Sequence, residues 1–375
     1  MRVFTIISER GNALPLAQRI AGEGHRVQLY INNRDAREIG NGILEKHTTT
    51  EQLVSKQSGR VAMQVLQLLC TPTPDCVILD SVAPGFGRVA DCFRDRGIPV
   101  IGSSEWAERV ANDEAFGTQV MTTMGMDTGE EAVGLPITVE AWFNGEEAIS
   151  VNYTVKDDRL MEGNKGPKAD MGNVVWVGSK GSKLYRESLG KLLPLLRKIK
   201  YVGPLSVDVT ITDKGLAGLK LIPRFNYNAF YVLLEMLKGE VNDMLYGVAT
   251  GVVKTMGFKS KLGIGITLAV PPFPIPSDKY NVHIGIEGLN KHNLKHFWGY
   301  DFCKVQEYFT CGTTGYVGTV TARGDDIQGF SPLRDAKRRA MRTINNLRIE
   351  DGMHRLDIGN KVEKYRTQLT KWGWL

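Results

Sequence analysis

Cysteine is scarce. The five residues (Cys70, Cys76, Cys92, Cys303 and Cys311) are odd in number and lack C-x-x-C spacing, which argues against a disulfide framework and for reduced thiols. No uninterrupted apolar run is long enough to span a bilayer. Met1-Arg2-Val3-Phe4 leads into a short strand rather than a secretory signal, so a cytoplasmic protein without membrane contact is expected. Internal repeats and low-complexity tracts are lacking too. A strong excess of one charge is also missing: 47 basic against 41 acidic residues leave +6, which permits an anionic ligand without demanding nucleic acid. What is present is an apolar fraction of 42% over 375 residues. That suffices for two or three hydrophobic cores, since single cores rarely grow past about 250 residues.

The first hundred residues alternate strand-like and helix-like segments, the pattern of a parallel sheet covered by helices. Strands are expected at Val3 to Ile7, Arg26 to Ile31, Cys76 to Leu79 and Pro99 to Ile101, and helices at Asn12 to Gly22, Glu51 to Leu69 and Val89 to Arg96. From Leu135 the pattern changes to hairpins, with turn signals at Asn144-Gly145 and Asp213-Lys214-Gly215. Helices are expected at Leu184 to Lys198 and Asn228 to Met256. The Pro-rich stretch Val270 to Pro276 forces extended backbone and suits a domain junction or edge. A C-terminal module follows, with strands near Val282 to Ile286 and Gly318 to Thr321, a basic helix from Pro332 to Asn346 and a tail ending Trp372-Gly373-Trp374.

Several separated segments, in order, carry a resemblance. Gly97-Ile98-Pro99-Val100-Ile101-Gly102 with Glu105 to Gly125 comes first, then Glu140-Ala141-Trp142-Phe143-Asn144-Gly145-Glu146-Glu147 and Arg159 to Pro167. Tyr201-Val202-Gly203-Pro204-Leu205, Pro223-Arg224-Phe225, Val317 to Asp326 and Arg355 to Gly359 complete the series. Together they resemble glycinamide ribonucleotide synthetase, the ATP-grasp enzyme of purine synthesis that joins glycine to phosphoribosylamine. The resemblance implies α/β and α+β architecture: a Rossmann-like N-terminal (pre-ATP-grasp) domain at 1–128, a truncated ATP-grasp core lacking the small flap subdomain at 135–261, and a C-terminal β-rich module at 262–375.

Three departures from the family fall on its chemistry. The family inserts a flap subdomain with an ATP-gripping lysine where this chain has only Met126 to Gly134, too short for four strands of about five residues each. It places a magnesium-binding glutamate and asparagine four and two residues before the matched arginine, where Lys220 and Ile222 stand here. Neither can replace the hard oxygen ligands of that ion. Its first loop is glycine-rich, whereas this one reads Ser8-Glu9-Arg10-Gly11-Asn12, with one glycine and an acid that repels an anion unless turned away. Ser8, Arg10, Gly11 and the following helix N-terminus remain candidates for a phosphate.

Read from the residues alone, Leu205 to Ile211 and Leu216 to Phe225 form a hairpin whose side chains alternate between faces. A three-residue loop would set Thr212 against Leu216 and Asp208 against Lys220, with Arg224 further along the same face. The expectation is a Lys220–Asp208 ion pair filling the former metal position and supporting Arg224 as an anion contact. The ligand-binding candidates are therefore Ser8, Arg10, Gly11, Arg159, Asp208, Lys220 and Arg224; no catalytic residue and no metal ligand is assigned.

Other groupings are weaker. His292 and His296, with His283, Cys303 and Cys311 nearby in sequence, match no usual zinc spacing, and packing is expected of them. Asp157, Asp158, Glu146 and Glu147 read as surface acids near turns. Arg334, Arg338 and Arg342 form a cationic stripe at i, i+4 spacing that could meet an acidic partner. The functional expectation is a non-catalytic relative of the synthetase that binds an anionic metabolite, a phosphoribosyl compound or a nucleotide, with no cofactor. The alternatives are a working carboxylate-amine ligase using ATP and magnesium, with another chain supplying the flap, and an assembly subunit using the basic helix and terminal tryptophans as contacts.

Overall fold

The computed structural model describes residues 1–36, 38–44, 46–47, 72–129, 134–275, 284–306, 308–311, 314–327 and 330–375. The expected helix at Glu51 to Leu69 lies outside them.

The N-terminal domain runs β1 (Val3–Ser8), α1 (Leu14–Gly22), β2 (Arg26–Ile31), β3 (Lys46–His47), β4 (Cys76–Leu79), α2 (Phe86–Arg94), β5 (Val100–Ile101), α3 (Glu105–Asn112) and α4 (Glu114–Thr123). All pairings are parallel, in the order β3-β2-β1-β4-β5. This is the Rossmann-like sheet expected, and its strands are apolar because helices cover both faces: Cys76–Leu79 is buried throughout. Ser104 and Asp113 cap α3 and α4 by accepting from Ala107 and Phe116 N–H. In an open parallel sheet, ligands gather at the carboxyl ends of the strands where the order reverses. Here that point lies between β1 and β4.

The second sheet follows with β6 (Leu135–Asn144), β7 (Ala148–Met161), β8 (Lys165–Val177), helices α5 (Lys183–Arg186) and α6 (Leu189–Lys198), β9 (Val202–Ile211) and β10 (Leu216–Ile222). Next come α7 (Tyr227–Met236), α8 (Val241–Ala249) and β11 (Leu262–Ala269). The single helix expected over Asn228 to Met256 is thus broken, with Gly239 at φ +108° between the two pieces. The remainder is β12 (Ile284–Glu287), β13 (Phe297–Gly299), β14 (Cys303–Val305), β15 (Tyr308–Cys311), β16 (Tyr316–Gly324), α9 (Pro332–Asn345), β17 (Arg348–Ile349) and α10 (Val362–Lys371).

The large sheet has the order β10-β9-β6-β7-β8-β11-β16-β13, and a small one the order β14-β15-β12-β17. Because β11 pairs with β8 from Leu262↔Trp176 onward, the strands on both sides of the expected boundary at 262 share one continuous sheet, and the Pro-rich stretch follows this join instead of marking it. One face of the sheet is apolar: Val139, Ala141, Val151, Tyr153, Val155, Val207 and Val209 are buried. Trp374 is buried as well and donates its indole N–H to the Thr212 carbonyl at 2.9 Å, so this tryptophan closes the fold and is not a free contact surface. The other face carries α7. Helix and sheet approach closely because a side chain at Gly263 or Gly265 would come within 2.7 or 2.9 Å of Val232. Among the described residues no helix is long and apolar enough to cross a membrane.

Candidate functional site

Two regions meet: the carboxyl ends of β1 and β4, and the polar face of the large sheet near its β10 edge. The segment from Arg224 into α7 joins them. A Cβ on Gly102, just past β5, would press on Phe225 at 3.2 Å. Tyr227 reaches Asp80 after β4, and Tyr231 donates to the Asn12 carbonyl at 2.9 Å.

In the first region Ser8 is fully buried. Its hydroxyl donates to Asp80 and accepts from Gly11 N–H at 3.0 Å. Asp80 further accepts from Tyr227 Oη at 3.0 Å and Glu9 N–H at 3.2 Å. Burial raises its pKa to about 6, against the pull of those donors. Ser8 therefore faces an internal carboxylate. Gly11 takes φ +78° with Ile39 close against it. Glu9 is turned aside, accepting from Asn32 Nδ2 at 2.9 Å. Arg10 is exposed, with no hydrogen-bond or ion-pair partner among the described residues.

On the sheet, Asp208 does lie opposite Lys220, by a route other than the one expected. Ile211 pairs with Leu216 across a four-residue turn, and a bulge after Gly218 restores Asp208↔Lys220. The ion pair is corrected: Lys156 Nζ sits 2.9 and 3.3 Å from the two Asp208 oxygens, and Thr138 donates to the same carboxylate. Lys220 is exposed and unpartnered among the described residues, as is Arg224. Lys156 won because alternation along β7 places Asn152, Thr154 and Lys156 on the face shared by Glu140 and Asp208. The alternation was legible in the sequence; the pairing of β7 with β6 that brings Lys156 to Asp208 was not.

Beside this pair Glu140 is 1% exposed, accepting from Ser206 Oγ at 3.0 Å. Burial raises its pKa to about 7, opposed by Ser206 and neighbouring polar groups. Arg159 lies away on the β7–β8 hairpin, donating to the Gly166 carbonyl at 2.9 Å while its own carbonyl accepts from Arg355 at 2.8 Å; these bonds hold the hairpin tip.

The other groupings are placed as follows. His296 bonds Glu235 at 2.9 Å, Cys303 lies 3.0 Å from Thr310 Oγ1, and His283 is outside the described residues. Glu146 and Glu147 pair at the surface with Lys254 and Lys180. Asp157, by contrast, is buried and pairs with Lys361 at 3.0 Å, so the surface reading of it is corrected. Arg338 pairs with Asp335 at 2.9 Å and, with Arg334, lies over the Phe330 ring, leaving Arg342 exposed.

No protein-family model matches the chain. Phosphoribosylamine–glycine ligase of Streptomyces coelicolor is 22% identical over 356 residues, covering 77% of this chain and 84% of that protein. The solved phosphoribosylamine–glycine ligase of Thermotoga maritima superposes with a TM-score of 0.68 at 14% identity, over 95% of this chain and 100% of the other. N5-carboxyaminoimidazole ribonucleotide synthetase of Thermotoga maritima gives a TM-score of 0.56 at 13% identity, over 93% and 99%. The fold is of the ATP-grasp class. Within that class the chain is a relative of the phosphoribosylamine–glycine ligases, as its colinear segments implied.

Such a fold implies ATP and magnesium, and the side chains can be tested against them. Lys220 and Ile222 offer no oxygen, Asp208 is held by Lys156 at 2.9 Å, and among the described residues no group of three or more His, Cys, Asp or Glu side chains is placed to share a metal ion. The donor set does not suit a hard divalent cation. Of the interval replacing the flap, the described part adds a single bridge, Thr128↔Gly218, along the edge of β10.

Proposed function

We propose that this chain binds a small anionic metabolite, a phosphoribosyl compound or a nucleotide, between the N-terminal domain and the β10 edge of the large sheet, without performing ATP-dependent ligation. The observation that carries this reading is a set of three exposed cations, Arg10, Lys220 and Arg224, each without an internal partner among the described residues. Guanidinium and ammonium groups free of internal partners suit phosphate oxygens, which Arg can grip in bidentate fashion. The lysines on and opposite Asp208 support the same reading, since they supply positive charge where a ligase needs a metal. Cytoplasmic residence accords with the scarce, odd-numbered cysteines of the sequence.

The similarity along 84% of a phosphoribosylamine–glycine ligase favours one other reading, an ATP-dependent ligase completed by a second chain. Thermal shifts in metal-free buffer test the first. Ribose 5-phosphate or a nucleoside monophosphate should raise Tm saturably, because a ligand stabilises the state it binds. Arg224→Ala should weaken that binding by about tenfold or more, the loss of a charge-assisted contact of about 1.5–3 kcal/mol. An unchanged response in Arg224→Ala, or no response in the unsubstituted chain, would remove the reading.

A further inference from the structure

Three sets of donors that would attract an anion, each including at least one backbone N–H, are already met by carboxylates of the chain itself. At the loop after β1, Asp80 accepts from Glu9 N–H at 3.2 Å, from the Ser8 hydroxyl, and from Tyr227 Oη at 3.0 Å. At the loop after β4, which opens α2, Glu108 accepts from Gly85 and Gly87 N–H, each at 2.9 Å. At the start of α8, Glu23 accepts from Val241 and Asn242 N–H at 2.8 and 2.9 Å. The first two flank the strand-order reversal of the N-terminal sheet, the crevice where parallel sheets of this kind take their ligands. Asp80 and Tyr227 are buried at 7% and 8% exposure, and Ser8 at 0%, so solvent anions do not compete for these donors.

We propose that Asp80 is a built-in anion: its carboxylate takes the place of a ligand phosphate in the N-terminal crevice, and Tyr227 seals it there from the large sheet. The crevice is thereby closed to exogenous phosphate, and any ligand anion is confined to the outer cations Arg10, Lys220 and Arg224. Shape as well as charge supports this. Three donors from two domains converge on one carboxylate, and a phosphate oxygen brought among them would meet a like charge in a dry site, where such repulsion is strongest. The claim concerns the crevice alone and stands whether or not the outer cations bind a metabolite.

Two experiments decide it. Crystals of the unsubstituted protein soaked in tungstate, a heavy phosphate mimic, should show no ion within hydrogen-bond reach of Ser8, Glu9 N–H or Tyr227; an ion there overturns the proposal. Asp80→Ala leaves the donors without an acceptor and should lower Tm. Inorganic phosphate or formate should then restore Tm saturably and beyond its effect on the unsubstituted chain. Asp80→Asn, which keeps the volume filled, should show no such rescue. A folded Asp80→Ala variant with no added response to these anions also overturns the proposal. If that variant does not fold, the tungstate result decides alone. Neither readout depends on Arg224, so failure here and failure of the metabolite reading are separable.

Discussion

Glu140→Gln should gain stability relative to the unsubstituted protein as pH rises from 5 to 8, by up to about 3 kcal/mol. The carboxyl is 1% exposed, and burial raises its pKa from 4.5 to about 7. A carboxyl with a raised folded-state pKa holds its proton more tightly in the native state than in the unfolded one. Stability is then fully present below the unfolded value and lost as pH rises through the folded value. At about 1.4 kcal/mol per pH unit the whole effect is about 3.5 kcal/mol, most of which falls between pH 5 and pH 8. Asp80, raised from 3.8 to about 6 by the same cause, acts in the same direction at lower pH. Denaturant melts of both proteins between pH 5 and pH 8 check this. If the stability difference between Glu140→Gln and the unsubstituted protein is the same at pH 8 as at pH 5, the carboxyl is not held protonated by its surroundings and the reading of this face is wrong.

Arg355→Ala should destabilise the protein by about 3–5 kcal/mol, the range for removing one partner of a buried ion pair. The Arg355 side chain is 2% exposed and grips Asp357 through Nε and Nη2 at 2.7 and 2.8 Å. Its remaining arm donates to the Arg159 carbonyl at 2.8 Å. Asp157, 5% exposed, lies 3.9 Å away and pairs with Lys361 at 3.0 Å while accepting from Gly359 N–H. Removing the guanidinium strands buried negative charge and unclasps 355–361 from the β7–β8 hairpin. Arg355→Lys should recover little, because an ammonium cannot make the forked contact. Urea unfolding checks both variants; a loss below about 1 kcal/mol would place this cluster among ordinary surface pairs.

Local pattern made most of the architecture readable. Buried apolar runs such as Cys76–Leu79 announced parallel strands, and Pro332 with Ser331 before it marked the start of α9. What sequence could not convey was tertiary choice. Lys156 and Lys220 both had the charge to answer Asp208, and only the packing of β7 against β6 selects Lys156. Asp80, just past the strand Cys76–Leu79, takes Ser8 away from any ligand, and Tyr227, far along the chain, closes over it. Asp157 sat among turn acids and proved to be buried, since its partners lie near the C-terminus. The bulge after Gly218 is likewise invisible to alternation alone, and it restored a pairing that the wrong turn length had reached by accident.

The central claim is that a chain with cations where a divalent ion needs oxygens does not carry out the ligase reaction. Purified protein incubated with ATP, magnesium, glycine and phosphoribosylamine tests this by release of inorganic phosphate. The account predicts no release above the protein-free control. Steady release that scales with protein concentration and requires all four components would contradict it.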